Sequence, residues 1–282
     1  MERGFSTGLS VCAAAVGLTV LGIVVFLGIE SWPAWQRIGP TAMLGAVQWN
    51  PVGPEPQQYG LAPMLVGTLA VAVGATLCAA PIGLATALYA TFYASPRVSW
   101  LILRCMEVFS GIPSVVIGFW GLVCVVPWVA QLHPPGPSLL AGVLVLAVMI
   151  VPLFALVAAT AVRSVPLDLI QAAHAVGLSR WRMICRIVLP AARQDMINGM
   201  VLQFGRAAGE TMAVLMVCGN VVQMPGTVFD PIRTLTSNIA LEMAYAVGLH
   251  RSALFAGGLV LMILVGVVVL PARWRGASHA TR

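Results

Sequence analysis

The chain has 282 residues, is 60% hydrophobic and only 9% charged, and carries a net charge of +6. A soluble domain averages about 25% charged residues, so this composition excludes a water-soluble fold and points to an integral membrane protein. All 15 basic residues are arginine, and their distribution along the chain reads as a membrane-topology signal rather than as nucleic-acid binding.

Residues 8–29 carry no charge and are long enough to cross a hydrocarbon layer as a helix. The run is too long for the apolar part of a signal peptide and no A-x-A site follows it, so it is expected to be a retained first span. Residues 30–59 form a polar, Pro/Gly-rich loop with Trp32, Trp35 and Trp49, aromatics suited to a membrane interface. From 56 to 96 there is again no charged side chain, and Pro81 lies inside; a long, tilted, proline-kinked helix is expected. Residues 97–107 are short, charged and amphipathic. Residues 112–130 form a third span, 133–137 a Pro-rich turn and 139–162 a fourth span. Residues 163–197 are the largest polar segment, with five arginines, two aspartates and a histidine. A fifth span over 198–222, a loop over 223–250 and a last span over 252–270 complete a single all-α transmembrane domain of six spans over 1–282. With the N-terminus in the cytoplasm, the inside loops carry eleven arginines and the outside loops three (Arg37, Arg233 and Arg251), so both termini are expected to be cytoplasmic.

Cys12, Cys78, Cys105, Cys124, Cys185 and Cys218 show no CxxC spacing and are expected to be buried and reduced, acting as small apolar residues. His133, His174, His250 and His279 are scattered, so no metal site is expected. Pro113-Ser114 reads either as a helix start or as part of a lining, and Glu242 either as a contact for a docked partner or as a solvated loop charge.

The fifth span is the most informative. Its only charged side chains are Arg206 and Glu210. Arg206 falls about 12 Å inside a layer ~30 Å thick. An unpaired arginine there costs roughly 2.5–3.5 kcal/mol on insertion scales, so it faces protein or water and by default marks a path for something polar. The i, i+4 spacing puts Glu210 on the same helix face, where the two can pair. Gln203 lies one turn earlier, and Gly205 and Gly209 make a GxxxG that admits a neighbouring helix. A purely structural ion pair is the plainer alternative.

The polar segment 164–190 reads as two short helices. Ser164 is expected to cap the first and Pro166 to sit in its first turn. Gly177 is expected to end it in a left-handed conformation, Ser179 to cap the second helix, and Pro190 to follow the second helix's last turn. Leu167, Ile170 and His174 share one face. A basic interfacial hairpin is one reading. The order Gln171-Ala172-Ala173, Gly177, Ile187, Leu189-Pro190 resembles, at every spacing, the EAA loop of ABC importer permeases, with Gln171 where that family usually has glutamate. The resemblance implies a MetI-like permease fold and a coupling helix that docks on a separate ATP-hydrolysing subunit. ATP and magnesium would belong to that partner; this chain has no G-x-x-x-x-G-K-[ST] loop and no lysine to build one, so no cofactor and no catalysis are expected of it.

The run from Gly205 to Val214, GRAAGETMAV, resembles the signature of the PstC-type permease of the phosphate-specific ABC importer. Trp49-Asn50-Pro51, Gly67-Thr68-Leu69, the run IPSVVIG from Ile112 and the run RTLTSNIALEM from Arg233 agree, so that the resemblance covers about residues 45–272. It implies a substrate pathway through Arg206, Glu210, Gln203 and Thr211, a PstA-like permease as heterodimer partner, two ATPase copies, an extracytoplasmic phosphate-binding protein, and a place in the bacterial inner membrane among its lipids. An ABC permease for sulfate, molybdate or phosphonate, and an ion-coupled carrier, are the rival readings.

Overall fold

The computed structural model describes the backbone over residues 2–53 and 56–277, and side chains over 8–53 and 56–271. In chain order it comprises α1 (Glu2–Ile38), α2 (Pro40–Gly45), a two-residue hairpin of β1 (Trp49–Asn50) and β2 (Gln58–Tyr59), α3 (Ala62–Leu88), α4 (Pro96–Ser110), α5 (Ser114–Trp120), α6 (Val126–Leu132), α7 (Leu139–Arg163), α8 (Leu167–Ala175), α9 (Arg180–Met183), α10 (Leu189–Gly209), α11 (Met212–Val217), α12 (Leu235–Glu242) and α13 (Gly248–Ala277). The hairpin is antiparallel, with Trp49 opposite Tyr59 and Asn50 opposite Gln58.

The core is built from α3 and α7, and small residues let them approach. A Cβ on Gly74 would meet Val143 at 2.7 Å and one on Gly83 would meet Phe154 at 2.7 Å. Leu146, Ile150 and Phe154 of α7 are buried in the resulting cluster. Helix α10 leans on the same pair and on α13, with Gly199 against Val157 and Gly205 against Val265 and Val269. Gly209, the second glycine of the expected GxxxG, has nothing within 4 Å of its Cβ position, so close packing is realised at Gly205 only. Helix α1 lies outside this core along α13, joined by an edge-to-face pair of Phe26 and Phe255 at 5.5 Å. Along α1, Leu9, Val16, Leu21 and Ile29 remain exposed, as suits a helix bathed in lipid.

Among the described residues, five helical stretches are long and apolar enough to cross a membrane: Gly8–Ile38, Ala62–Tyr93, Ser114–Leu132, Leu139–Arg163 and Gly248–Pro271. Three match the expected spans closely, and Ala62–Tyr93, at 32 residues with Pro81 inside, is the long helix expected there. The first runs on to Ile38 and is followed by α2, so residues 30–45 of the expected loop are largely helical. Of the cysteines, Cys218 is buried, whereas Cys12, Cys78 and Cys124 are exposed. The expected fifth span, 198–222, is not one helix. It is broken between Gly209 and Met212, where Glu210 has an extended backbone (φ −67°, ψ 134°). The break has a local cause. The Glu210 carboxylate accepts a hydrogen bond from the Ala213 N–H at 3.2 Å, an N-terminal capping contact that starts a new helix and competes with continuing the old one.

Two π-helical turns soften prolines that would otherwise end helices. One, Gly121–Val125, is followed by Pro127; the other, Ile184–Val188, is followed by Pro190. In each case the carbonyl four residues before the proline, which its ring would strike, lies within the widened turn. Pro190 therefore does not stop the second loop helix. The chain runs on through α9, the π turn and α10 as one helical rod from Arg180 to Gly209.

Candidate substrate pathway and coupling site

The break at 209–211 changes how the intramembrane charges are arranged. Because α10 ends at Gly209, Glu210 does not share a helix face with Arg206 in the expected i, i+4 sense, and the two form no ion pair. Glu210 is turned to Ala213 at the head of α11, where a carboxylate suits the positive end of a helix. Its backbone carbonyl, left without an i+4 partner by the break, accepts from the Thr236 hydroxyl at 2.8 Å. Arg206 lies in the last turn of α10 and is exposed on the surface of this chain. Among the described residues its guanidinium has no hydrogen-bond or ion-pair partner. Gln203, expected beside it, is instead turned inward: it is 4% exposed, and its side-chain oxygen has no partner. Thr211, half-buried, lies at the head of α11, its hydroxyl 3.4 Å from the Gly209 carbonyl.

Helix α11 is wedged into the bundle. A Cβ on Gly118 of α5 would lie 2.8 Å from the Ala213 Cα, and one on Gly142 of α7 2.4 Å from the Cys218 sulfur. Pro113 precedes α5 and Ser114 is its first residue, so this pair is a helix start. After α11 the chain turns back through Asn220 (φ 56°) and forms backbone hydrogen bonds from Leu139 to Asp230 and from Ile232 to Cys218.

At the same end of the bundle sits a buried polar cluster that the sequence reading did not foresee. Glu242, 7% exposed, accepts from Arg233 Nη1 at 2.7 Å and from Trp49 Nε1 at 2.9 Å, with His250 Nε2 also at 2.9 Å. Neither a solvated loop charge nor a free docking contact describes it. Asp230 belongs to a separate turn and accepts from the Gly226 and Thr227 N–H groups. The signal was present but scattered, since Trp49 and Glu242 are 193 residues apart.

At the opposite end, α8 has the form expected of a coupling helix. Gly177 has φ 73°, and the Leu178 N–H bonds back to the Ala173 carbonyl at 3.1 Å, a left-handed helix end. Ser164 does not cap α8. It closes α7, its hydroxyl bonded to the Ala161 carbonyl, and Pro166 precedes the first turn. Gln171 and Ala172 are exposed, whereas Ala173 is 1% exposed and packs with Val162, Met183, Ile184 and Val188; Ile187 and Leu189 flank this cluster and Pro190 is exposed. Leu167 at the start of α8 and Val176 just past its end are 70% and 74% exposed.

A family model described as "Binding-protein-dependent transport system inner membrane component" matches residues 79–272. The chain belongs to this family. It is therefore an ABC permease, the non-catalytic membrane subunit of a system in which an ATPase and a substrate-binding protein are the partners. The permease is 35% identical over 269 residues to the probable ABC transporter permease protein YqgH of Bacillus subtilis, covering 93% of this chain and 87% of that one. It is 31% identical over 286 residues to the phosphate transport system permease protein PstC of Mesorhizobium japonicum, covering 93% and 86%. Among solved structures it is similar to the MetNI methionine ABC transporter in inward-facing conformations, with a TM-score of 0.60 at 21% identity over 77% of this chain and 94% of that one. A bacterial ABC transporter involved in import of the acidic polysaccharide alginate gives a TM-score of 0.63 at 15% identity, covering 95% of each chain. These likenesses establish the MetI-like fold.

Proposed function

We propose that the permease passes inorganic phosphate into the cell, with Arg206 as the group that meets it and Glu210, Gln203 and Thr211 shaping the surrounding path. The observation that carries this is the Arg206 guanidinium, exposed and without a hydrogen-bond or ion-pair partner among the described residues, beside a helix break. A guanidinium presents a planar fork of donors that matches the oxygens of a tetrahedral oxyanion. The relatives named as phosphate transport permeases, at 31–32% identity over most of the chain, support the choice of phosphate. The partners in this reading are a PstA-like second permease facing Arg206, an ATPase dimer on α8 and an extracytoplasmic phosphate-binding protein. ATP closes the ATPase pair, α8 moves with it, and the rod from Arg180 to Gly209 carries the motion to the break, opening the path outward; hydrolysis returns it. Both termini lie in the cytoplasm.

Uptake of labelled phosphate, normalised to assembled complex, tests the reading. Arg206→Gln is expected to assemble and lose uptake, and Arg206→Lys to retain part of it, because a point charge replaces a fork. Wild-type uptake by Arg206→Gln would remove Arg206 from the path. Transport of labelled sulfate or molybdate in preference to phosphate would reassign the substrate to another oxyanion.

A further inference from the structure

Three stretches that the pathway and the coupling helix do not use meet in one place. Trp49 donates to Glu242. The Thr68 hydroxyl accepts from the Leu235 N–H at 3.0 Å, and Gly67 lies so close that its Cβ would reach the Arg233 carbonyl at 2.8 Å. Arg233 donates to Asn238 and Glu242 on α12 and to the Asn220 carbonyl just beyond α11. Helix α12 thus has both ends fixed. Its C-terminal end is held by the carboxylate of Glu242. Its N-terminal end carries buried hydroxyls, and one of them, Thr236, holds the Glu210 carbonyl and also lies 2.9 Å from the Thr234 hydroxyl.

That carbonyl matters because the break orphans it. Inside a bundle a carbonyl without a donor is costly, and the cheapest remedy is for the chain to re-form continuous helix. Thr236 supplies the donor and removes that incentive. We propose that Thr236 and Glu242 are positioning residues of the transport path: α12, anchored by Glu242 to Arg233 and Trp49, holds the Glu210 carbonyl through Thr236 and so keeps the span open between Gly209 and Met212. Neither residue touches the substrate in this arrangement. The inference rests on the reading of residues 206–211 as part of the path, though not on which oxyanion passes.

The test uses the complete importer with the six cysteines replaced and Met212→Cys as a reporter at the head of α11, a position 41% exposed. Uptake per assembled complex and the labelling rate of the reporter by a small charged maleimide are both read. Thr236→Val, which keeps shape and removes the donor, is expected to lower maximal uptake by about tenfold, with half-saturation changed less than about twofold, and to shift the labelling rate by at least about threefold. Thr236→Ser restores the hydroxyl and is expected to return both near wild type, which a role in packing alone would not produce. Glu242→Gln is expected to impair uptake, and combined with Thr236→Val to be no worse than the more impaired single variant, because both act through α12. If Glu242→Gln does not assemble, Trp49→Phe, which leaves the ion pair intact, takes its place in the cycle. A wild-type labelling rate in Thr236→Val, failure of Thr236→Ser to rescue, or losses that multiply in the double variant would overturn the proposal. Wild-type uptake by Arg206→Gln alongside an intact labelling response would instead remove the path reading and leave the positioning role in place.

Discussion

Single side chains of the bundle do different electrostatic work. Asp230 is partly exposed in the turn beyond α11, and its carboxyl is held below the ordinary carboxylate range, chiefly by the Thr227 N–H, then by the Thr227 hydroxyl and the Gly226 N–H. A carboxyl depressed in the folded state contributes stability that is present above its unfolded pKa and is lost as pH falls through the folded value. The turn should therefore loosen only in acid below the usual carboxylate range of about 3.9. Asp230→Asn is expected to lower the Tm of the purified permease at pH 6 and to flatten its further fall toward pH 3. Equal slopes for variant and wild type would show that the turn plays no part in acid sensitivity. Arg206 contrasts with this. Among the described residues its guanidinium has no partner, and the proposed role for it lies in transport rather than in stability.

Among the elements, α8 shows how a short helix can be held and still be free to bind. Ala173 anchors it, while Leu167, Val176 and Gln171 stay outside. Gly177 has open space around its Cβ position, so a substitution there meets no clash within this chain; the cost comes from the left-handed backbone. For an ordinary residue that cost is roughly 1–2 kcal/mol, and asparagine adopts the conformation more readily. Gly177→Asn is accordingly expected to keep most phosphate uptake per ATP hydrolysed in reconstituted complex. Gly177→Val is expected to lose much of it, because the path of the chain into α9 shifts. Equal coupling in the two variants would mean that the left-handed turn does not set the docking geometry. Helix α10 adds the second element-scale lesson: a π turn lets Pro190 sit inside a rod that joins the coupling loop to the break.

For the molecule as a whole, the arginine count across loops predicts that a green fluorescent protein fused to the C-terminus will fluoresce, and that alkaline phosphatase fused after Gly226 will be active. The opposite pattern would invert the orientation and, with it, the assignment of α8 to the ATPase side. Much of the architecture was legible because lipid imposes it. Uncharged runs of spanning length can only be buried helices, and the five continuous spans fall where those runs lie. The left-handed end at Gly177 was legible for a similar reason, since few other residues tolerate that backbone. The fifth span, 198–222, reads as one helix in the sequence because hydropathy averages over a window and does not register a carboxylate that caps the following turn. Pro190 was misread as a stop because a π turn leaves no mark in the pattern. The sequence by itself determined the class of fold, the five continuous spans and the left-handed end of α8, all of which follow from local chemistry. Only the tertiary structure decided that Arg206 and Glu210 part company, that Gln203 turns inward, and that Trp49, Arg233, Glu242 and His250 share one buried site, because those pairings depend on which distant donors reach a group that cannot remain unsatisfied away from water.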